Sequence, residues 1–385
     1  MTCGLNRALA RMIAGQIFLH ACMAGTRLAA PLLALREGHS AAAVGMLLAL
    51  FALTQVFLSL PAGRFADRHG LRLPMTLAVI ASTVGAGMAA AFPVMPVLCL
   101  SALLTGGATG VASIATQRHV GRAAGSPTQL KQVFSWLSIG PAISNFIGPF
   151  GAGLMIDHGG FRLAFLLMAV LPVFGWLCIR KERDLPPVLR PAGEPVGRAW
   201  DLVREPMFRR LLLVNWFLSS CWDVHTFVVP VIGHERGLSA SVIGTILGAF
   251  AVAAASIRVL LPMMAARLKE RSVITGAMAS TALLFAVYPL LHTAIAMGIC
   301  SVLLGVALGT VQPMVMSTLH QITPEHRHGE AVALRMMAIN ASSVAMPMLF
   351  GLAGTFVGVA GVFWFVGAAV GLGTRLAWGL RTSQH

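Results

Sequence analysis

Apolar stretches of about 20 residues, each long enough to cross the hydrocarbon core of a bilayer as a helix, recur along the chain with short polar breaks between them. They fall at residues 9–35, 41–62, 73–92, 95–117, 130–156 and 161–180, and again at 209–233, 240–264, 273–292, 295–318, 329–355 and 358–378. One longer polar stretch, 181–207, separates the two sets; it carries Pro186, Pro187, Pro191, Pro195 and Pro206 and many charges. The pattern predicts an all-α membrane protein of twelve transmembrane helices in two pseudo-symmetric six-helix bundles. The bundles are 1–180 and 208–385, and 181–207 is the tether between them, with a short surface helix over Arg198 to Arg204.

A weak internal repeat agrees with two bundles. Pro61 and Pro262, 201 residues apart, each end a predicted helix, and Pro149 and Pro347 stand 198 apart. Each of the latter is followed by small residues, Phe150-Gly151-Ala152-Gly153 and Phe350-Gly351-Leu352-Ala353-Gly354. Two matches at nearly one offset favour a duplicated six-helix unit.

Positive charge fixes an orientation. With both termini cytoplasmic, 22 of the 28 Lys and Arg fall on the cytoplasmic side and only Arg36, Arg162 and Arg236 on the other. Arg27, Arg258 and Arg335 remain inside helices. Such asymmetry orients multi-pass proteins, and one missed helix would scramble it. The expectation is a bacterial-type cytoplasmic (inner) membrane.

Composition narrows the class. Apolar residues make up 57% of the 385 and charged residues 11%, against about 25% charged in soluble domains; mean hydropathy is +0.81. The net charge of +15 sits in loops between apolar runs, so it reads as membrane topology and not as a nucleic-acid surface. The six Cys form no CxxC pair and mostly lie in apolar runs, as small buried residues do. Arg7 and Arg11 precede an apolar run as in a signal peptide, but the run continues past Arg27 without a cleavage site, so it reads as an uncleaved first helix. No G-x-x-x-x-G-K-[ST] string occurs, which excludes an ATP-driven pump built on that loop.

The most specific string is Gly63-Arg64-Phe65-Ala66-Asp67-Arg68-His69-Gly70-Leu71-Arg72, in the loop after the second predicted helix. It resembles the loop 2–3 signature of the major facilitator superfamily (MFS), G-x-x-a-D-r-x-G-r-[rk]. Gly63 permits close helix approach. Asp67 at a cytoplasmic helix end can pair with basic groups of the neighbouring bundle. With Arg68, Gly70 and Arg72 it makes a conformational latch, held in one state and broken in the other. The matching string of the second half, Met264 to Arg271, lacks the Gly and the Asp. The fifth helix carries Gly140-Pro141 and then Gly148, Pro149, Gly151 and Gly153, similar to the family's antiporter signature and suited to tight helix packing. The resemblance implies the twelve-helix fold, alternating access and an exporter. The fourth helix lacks the basic residue of many proton-coupled relatives, which puts the usual proton relay in doubt. His326 and His328, flanking Arg327, read as surface residues and not as metal ligands.

Ionisable residues at membrane depth usually mark a pathway or a pair. Arg27 lies about 27 Å and Asp223 about 21 Å from the cytoplasmic helix ends at 1.5 Å per residue. Under the 198-residue offset Arg27 corresponds to His225, so Arg27, Asp223 and His225 are expected to face one another, with His20 near. Arg258 and Arg335 lie one to two turns from the cytoplasmic surface. Three Arg against one Asp make a positive cavity that attracts an anion or zwitterion. The competing reading has Arg258 and Arg335 snorkelling to the surface and Arg27–Asp223 as a structural pair. It leaves a drug-type pocket lined by Trp216, Phe217, Trp222 and Met336. Asp223 is the first candidate proton site and His225 the second.

Together these readings describe a secondary transporter, with no enzyme activity, for proton-coupled export of an organic anion or zwitterion. The alternatives are multidrug-type efflux of lipophilic compounds and uptake of a small metabolite by proton symport. The expected partners are the solute, protons and the bilayer, with no cofactor, metal or nucleic acid, and the expected state is a monomer.

Overall fold

In a computed structural model of the chain, residues 3–39, 41–182, 184–185, 199–238, 240–265 and 267–380 are described. Every regular element among them is helical: α1 (Cys3–Arg36), α2 (Ala41–His69), α3 (Arg72–Ala91), α4 (Met95–Ala123), α5 (Pro127–Leu137), α6 (Ile139–Ile179), α7 (Asp201–Arg204), α8 (Pro206–Glu235), α9 (Ala240–Met264), α10 (Glu270–Val287), α11 (Ala294–Gly309), α12 (Val311–Ile322) and α13 (His328–Trp378), with two 3₁₀ turns. In a bilayer no water pairs with the backbone, so helices that satisfy their own N–H and C=O groups are the expected solution.

Two of these helices are each two spans. Gly160 in α6 and Gly358 in α13 have φ of 76° and 71° and break the helical backbone. A left-handed φ costs glycine nothing, so each helix reverses there. Conversely α5 with the first part of α6, and α11 with α12, are single spans interrupted by a turn. Counted this way the described residues hold the twelve expected spans. Nine stretches among the described residues are long and apolar enough by themselves, one of them Pro127–Ile179, which holds both a turn and the Gly160 break. The linker's Pro186, Pro187, Pro191, Pro195, Arg190 and Arg198 lie outside the described residues. The short helix expected there is the single turn Asp201–Arg204.

The chain forms two compact units. Unit 1 comprises Met1–Ala124, Ile139–Ala199 and Pro324–Asn340; unit 2 comprises Gly125–Ser138, Trp200–Thr323 and Ala341–His385. Thus α5 is grouped with helices of the second half of the sequence, and the start of α13 with helices of the first.

In unit 1, α1 packs chiefly on α6, and α4 on α2 and α3. Ala29, Leu33, Phe51, Leu98 and Phe165 form its main core cluster. In unit 2, α9 packs on α11, and α5 on α9 and α12. Outward faces are apolar: Phe57 is 71%, Ile295 77% and Leu372 76% exposed, as lipid contact requires.

The repeat is visible in the packing. A Cβ added to Gly106 would stand 2.3 Å from the Phe51 carbonyl oxygen, where α4 crosses α2. A Cβ added to Gly305 would stand 2.4 Å from the Phe250 carbonyl oxygen, where α11 crosses α9. Both members of the second contact lie 199 residues beyond those of the first. Each unit therefore uses the same glycine to bring the same two backbones together.

Gly106→Val is expected to destabilise by about 2 kcal/mol through overpacking, and Gly305→Val similarly. Gly87→Ala, where an added methyl meets nothing within 4 Å, should hold Tm or raise it slightly through helix propensity. Thermal unfolding of the detergent-purified protein reads all three, and an unchanged Tm in Gly106→Val would contradict the close crossing.

Candidate functional site

The signature string is helical over most of its length. α2 runs to His69, so Gly63 to His69 form its last turns and the turn itself is only Gly70-Leu71, with Gly70 at φ 75°. This corrects the expectation of a loop. The Asp184 carboxylate accepts from the N–H of Leu71 (2.6 Å) and Arg72 (3.1 Å), capping the start of α3 where orphan donors favour an anion.

Asp67 pairs with a residue of its own half of the sequence, not with a cation from the other. Arg118 of α4, 2% exposed, donates Nε to Asp67 Oδ1 at 2.5 Å and Nη2 to the Asp67 carbonyl at 3.1 Å. The same carboxylate accepts from the backbone N–H of Gly329 (3.0 Å) and Glu330 (3.2 Å) in the first turn of α13. Asp67 is thus the N-terminal anion of that helix, where the macrodipole favours negative charge. Glu330 is held between Arg64 and Arg327, each 2.9 Å away, and Arg122 pairs with Glu325 at 3.0 Å. Gly63 makes the approach possible: a Cβ there would lie 2.4 Å from the Gly329 carbonyl oxygen. Arg68 is exposed, while Arg72 donates to the Arg180 carbonyl at 3.0 Å.

Unit 2 has a matching arrangement on different residues. Glu270, at the start of α10 and 1% exposed, accepts from Ser317 (3.0 Å) and Gln321 (2.8 Å). Lys131 of α5, 2% exposed, stands 3.6 Å from it and donates to the Leu268 carbonyl at 2.7 Å. The acid has moved from the end of one helix to the start of the next, so a search for Gly and Asp in Met264–Arg271 passes over it. At the 199-residue offset its partners correspond to members of the first cluster, Ser317 to Arg118 and Lys131 to Glu330.

The intramembrane charges divide. Arg27 of α1 is exposed and makes no ion pair or hydrogen bond among the described residues. His20, two turns earlier on the same helix face, hydrogen-bonds the Asn145 side chain of α6. Asp223 of α8 is half-buried and accepts from Ser343 at a long 3.5 Å.

His225 points elsewhere. Two residues along a helix turn about 200°, and its fully buried ring packs on Phe250 with Nε2 2.9 Å from Ser301 Oγ; Ser301 in turn meets the Tyr288 hydroxyl at 2.9 Å. The expectation that Asp223 and His225 face one point is therefore corrected.

Arg258 is occupied by backbone. Its Nε donates to the Gly309 carbonyl (3.2 Å) and its Nη1 to the Ser138 carbonyl (3.1 Å), with Trp222 beneath it at 5.6 Å. Both carbonyls flank helix interruptions three or four residues before a proline, Pro141 and Pro313. Pro313 has no N–H to offer Gly309, and a guanidinium takes its place. Arg335, 3% exposed, lies in the first turns of α13 in unit 1.

In the fifth span, a Cβ on Gly148 would meet the Ala21 carbonyl oxygen at 2.4 Å, so α1 and α6 cross there. Pro149 follows inside α6. Gly151 has only ordinary contact with Leu167, and Gly153 has nothing within 4 Å. His328, expected at the surface, is 6% exposed, a correction; it opens α13 directly beside the Asp67 cluster. Among the described residues no three His, Cys, Asp or Glu converge as metal ligands.

The family model of the Major Facilitator Superfamily matches the sequence over residues 12–299 and 211–384. No curated protein matches it significantly. Among solved structures, a bacterial homologue of the iron transporter ferroportin in an outward-facing state is similar at TM-score 0.79 and 16% identity, covering 97% of this chain and 100% of that one. The human organic anion transporter MFSD10 (TETRAN) is similar at TM-score 0.79 and 15% identity, covering 98% and 100%. At these identities the likeness is one of fold.

Arg118→Ala leaves Asp67 without its cation and should cost about 3 kcal/mol. Asp67→Asn in the same chain should recover part of that loss, and a double-mutant cycle on thermal stability that shows no recovery would mean the two do not act as a pair. Arg258→Lys keeps the charge but cannot span two carbonyls, so its Tm should fall nearly as far as that of Arg258→Ala.

Proposed function

Since the chain belongs to the Major Facilitator Superfamily and is a secondary transporter of the membrane, we propose that it exports an organic anion or zwitterion in exchange for protons by alternating access. The observation that supports an anion is Arg27. It is an exposed guanidinium in the middle of a span, without a partner among the described residues, next to a face that also carries His20. A carboxylate or phosphate bound bidentately would satisfy it. Arg258 does not add to the attraction, because its donors are taken by carbonyls. The anion reading thus rests on one cation instead of three. The solute class named for the human neighbour is the same, though at 15% identity the two share a fold only.

Asp223 is the proposed proton carrier, since its carboxylate has one long hydrogen bond and no ion pair among the described residues. Proton uptake there and release of the anion at Arg27 give an exchange cycle. The moving bodies in this proposal are 1–180 and 208–385, joined by 181–207, with both termini cytoplasmic. Their rocking must separate α13 from Asp67 and α5 from Glu270, so the two charge clusters act as paired latches that set the balance between states.

Proteoliposomes with an imposed pH gradient test the cycle against panels of anionic and cationic solutes, preceded by thermal-shift screening. An anionic solute should stabilise the protein and be moved uphill, and Arg27→Gln should weaken it roughly tenfold to a hundredfold. Uphill transport that survives Asp223→Asn removes Asp223 from the coupling role. Stabilisation by lipophilic cations alone sinks the anion reading.

A further inference from the structure

A cleft of about 350 Å³, counting its open mouth, lies between the first turn of α3 and the last turn of α6 in unit 1, lined by Arg72, Met75, Thr76, Trp176, Ile179 and Arg180. Its floor is apolar, with Met75 1% and Ile179 2% exposed. Its rim is cationic. Arg72 spends one donor on the Arg180 carbonyl, which holds its head at the mouth. The Arg180 guanidinium lies 5.8 Å over the Trp176 ring.

Neither guanidinium has a carboxylate within ion-pair distance among the described residues. The nearby Asp184 directs Oδ1 to the N–H groups of Leu71 and Arg72, and the Thr76 hydroxyl donates to the Arg72 carbonyl at 2.8 Å. Several guanidinium donors therefore face the cleft unused.

The cleft continues into an apolar track. Ile80 follows Thr76 by one turn of α3 and is 53% exposed, and Val173 precedes Trp176 on α6 and is 41% exposed. Two cations, an indole at their side and an apolar track leading away match the parts of one ligand: a phosphate head with acyl chains. A soluble anion would have no use for the track, and a neutral lipid none for the two free cations. We propose that this cleft binds the phosphate of an acidic phospholipid, its acyl chains lying along Ile80 and Val173. The interface is where Trp and basic side chains meet head groups. This inference is independent of the transported solute and of its direction.

Native mass spectrometry of the full-length protein with added phosphatidylglycerol or phosphatidylcholine reads the site. Phosphatidylglycerol should bind at least tenfold tighter than phosphatidylcholine. Arg72→Gln or Arg180→Gln should weaken it about fivefold, and the double variant roughly thirtyfold, at about one phosphate contact per cation. Equal binding of the two lipids, or a double variant that keeps its preference for phosphatidylglycerol, overturns the proposal. Displacement of the lipid by millimolar inorganic phosphate also overturns it, since the site would then be one for a soluble anion. Brominated phosphatidylglycerol gives a readout without charge variants. It should quench wild-type fluorescence more than that of Trp176→Phe, and equal quenching counts against the site.

Discussion

Within a bilayer a backbone carbonyl that loses its helical partner has no water to turn to. The interruption beside Gly309 shows that constraint at work. At Gly160 and Gly358 the chain reverses at the end of a span. At Ser138 and Gly309, beside interruptions in the middle of spans, Arg258 supplies a donor to each carbonyl. A buried guanidinium is costly in lipid, yet at Gly309 it takes the place of the N–H that Pro313 cannot provide.

The same accounting explains the charge clusters. The first turn of α13 has orphan N–H groups, and Asp67 satisfies two of them while being neutralised by Arg118. Glu270 satisfies side-chain donors from α12 with Lys131 close by. Each acid is a partner to a helix that comes from the other half of the sequence. In the proposed cycle such contacts would be exchanged for water as the helices part, whereas the crossings at Gly106 and Gly305 bring two backbones into direct contact. Rigid packing within a half and exchangeable polar packing across halves are what a rocking transporter requires.

The twelve spans were legible in the sequence because length and hydropathy alone decide what crosses a bilayer, and the Gly63–Arg72 string because its spacing is specific. Contacts were less legible. The string was placed in a loop because charged residues usually end a span, but α2 continues to His69 since Asp67 and Arg64 find partners that allow it. The repeat offset, a coordinate along the chain, puts His225 with Arg27 and Asp223, although the roughly 200° between residues 223 and 225 sends one ring inward. For Arg258 the sequence leaves a cavity cation and a snorkelling side chain both open, because it shows a charge and not the carbonyls around it. Glu270 and Lys131 carry no sequence motif, and the exact 199-residue offset, which links Lys131 to Glu330, emerges from glycine contacts.

Arg258 also joins two things that the sequence keeps far apart. One guanidinium serves an interruption in the fifth span and another in the tenth. If either helix straightened and withdrew its carbonyl, the shared cation would be left half-solvated and the other bend would lose its counterweight. The two bends are therefore thermodynamically linked, each more stable in the presence of the other, and flexing of the fifth span is felt by the tenth without any ligand passing between them.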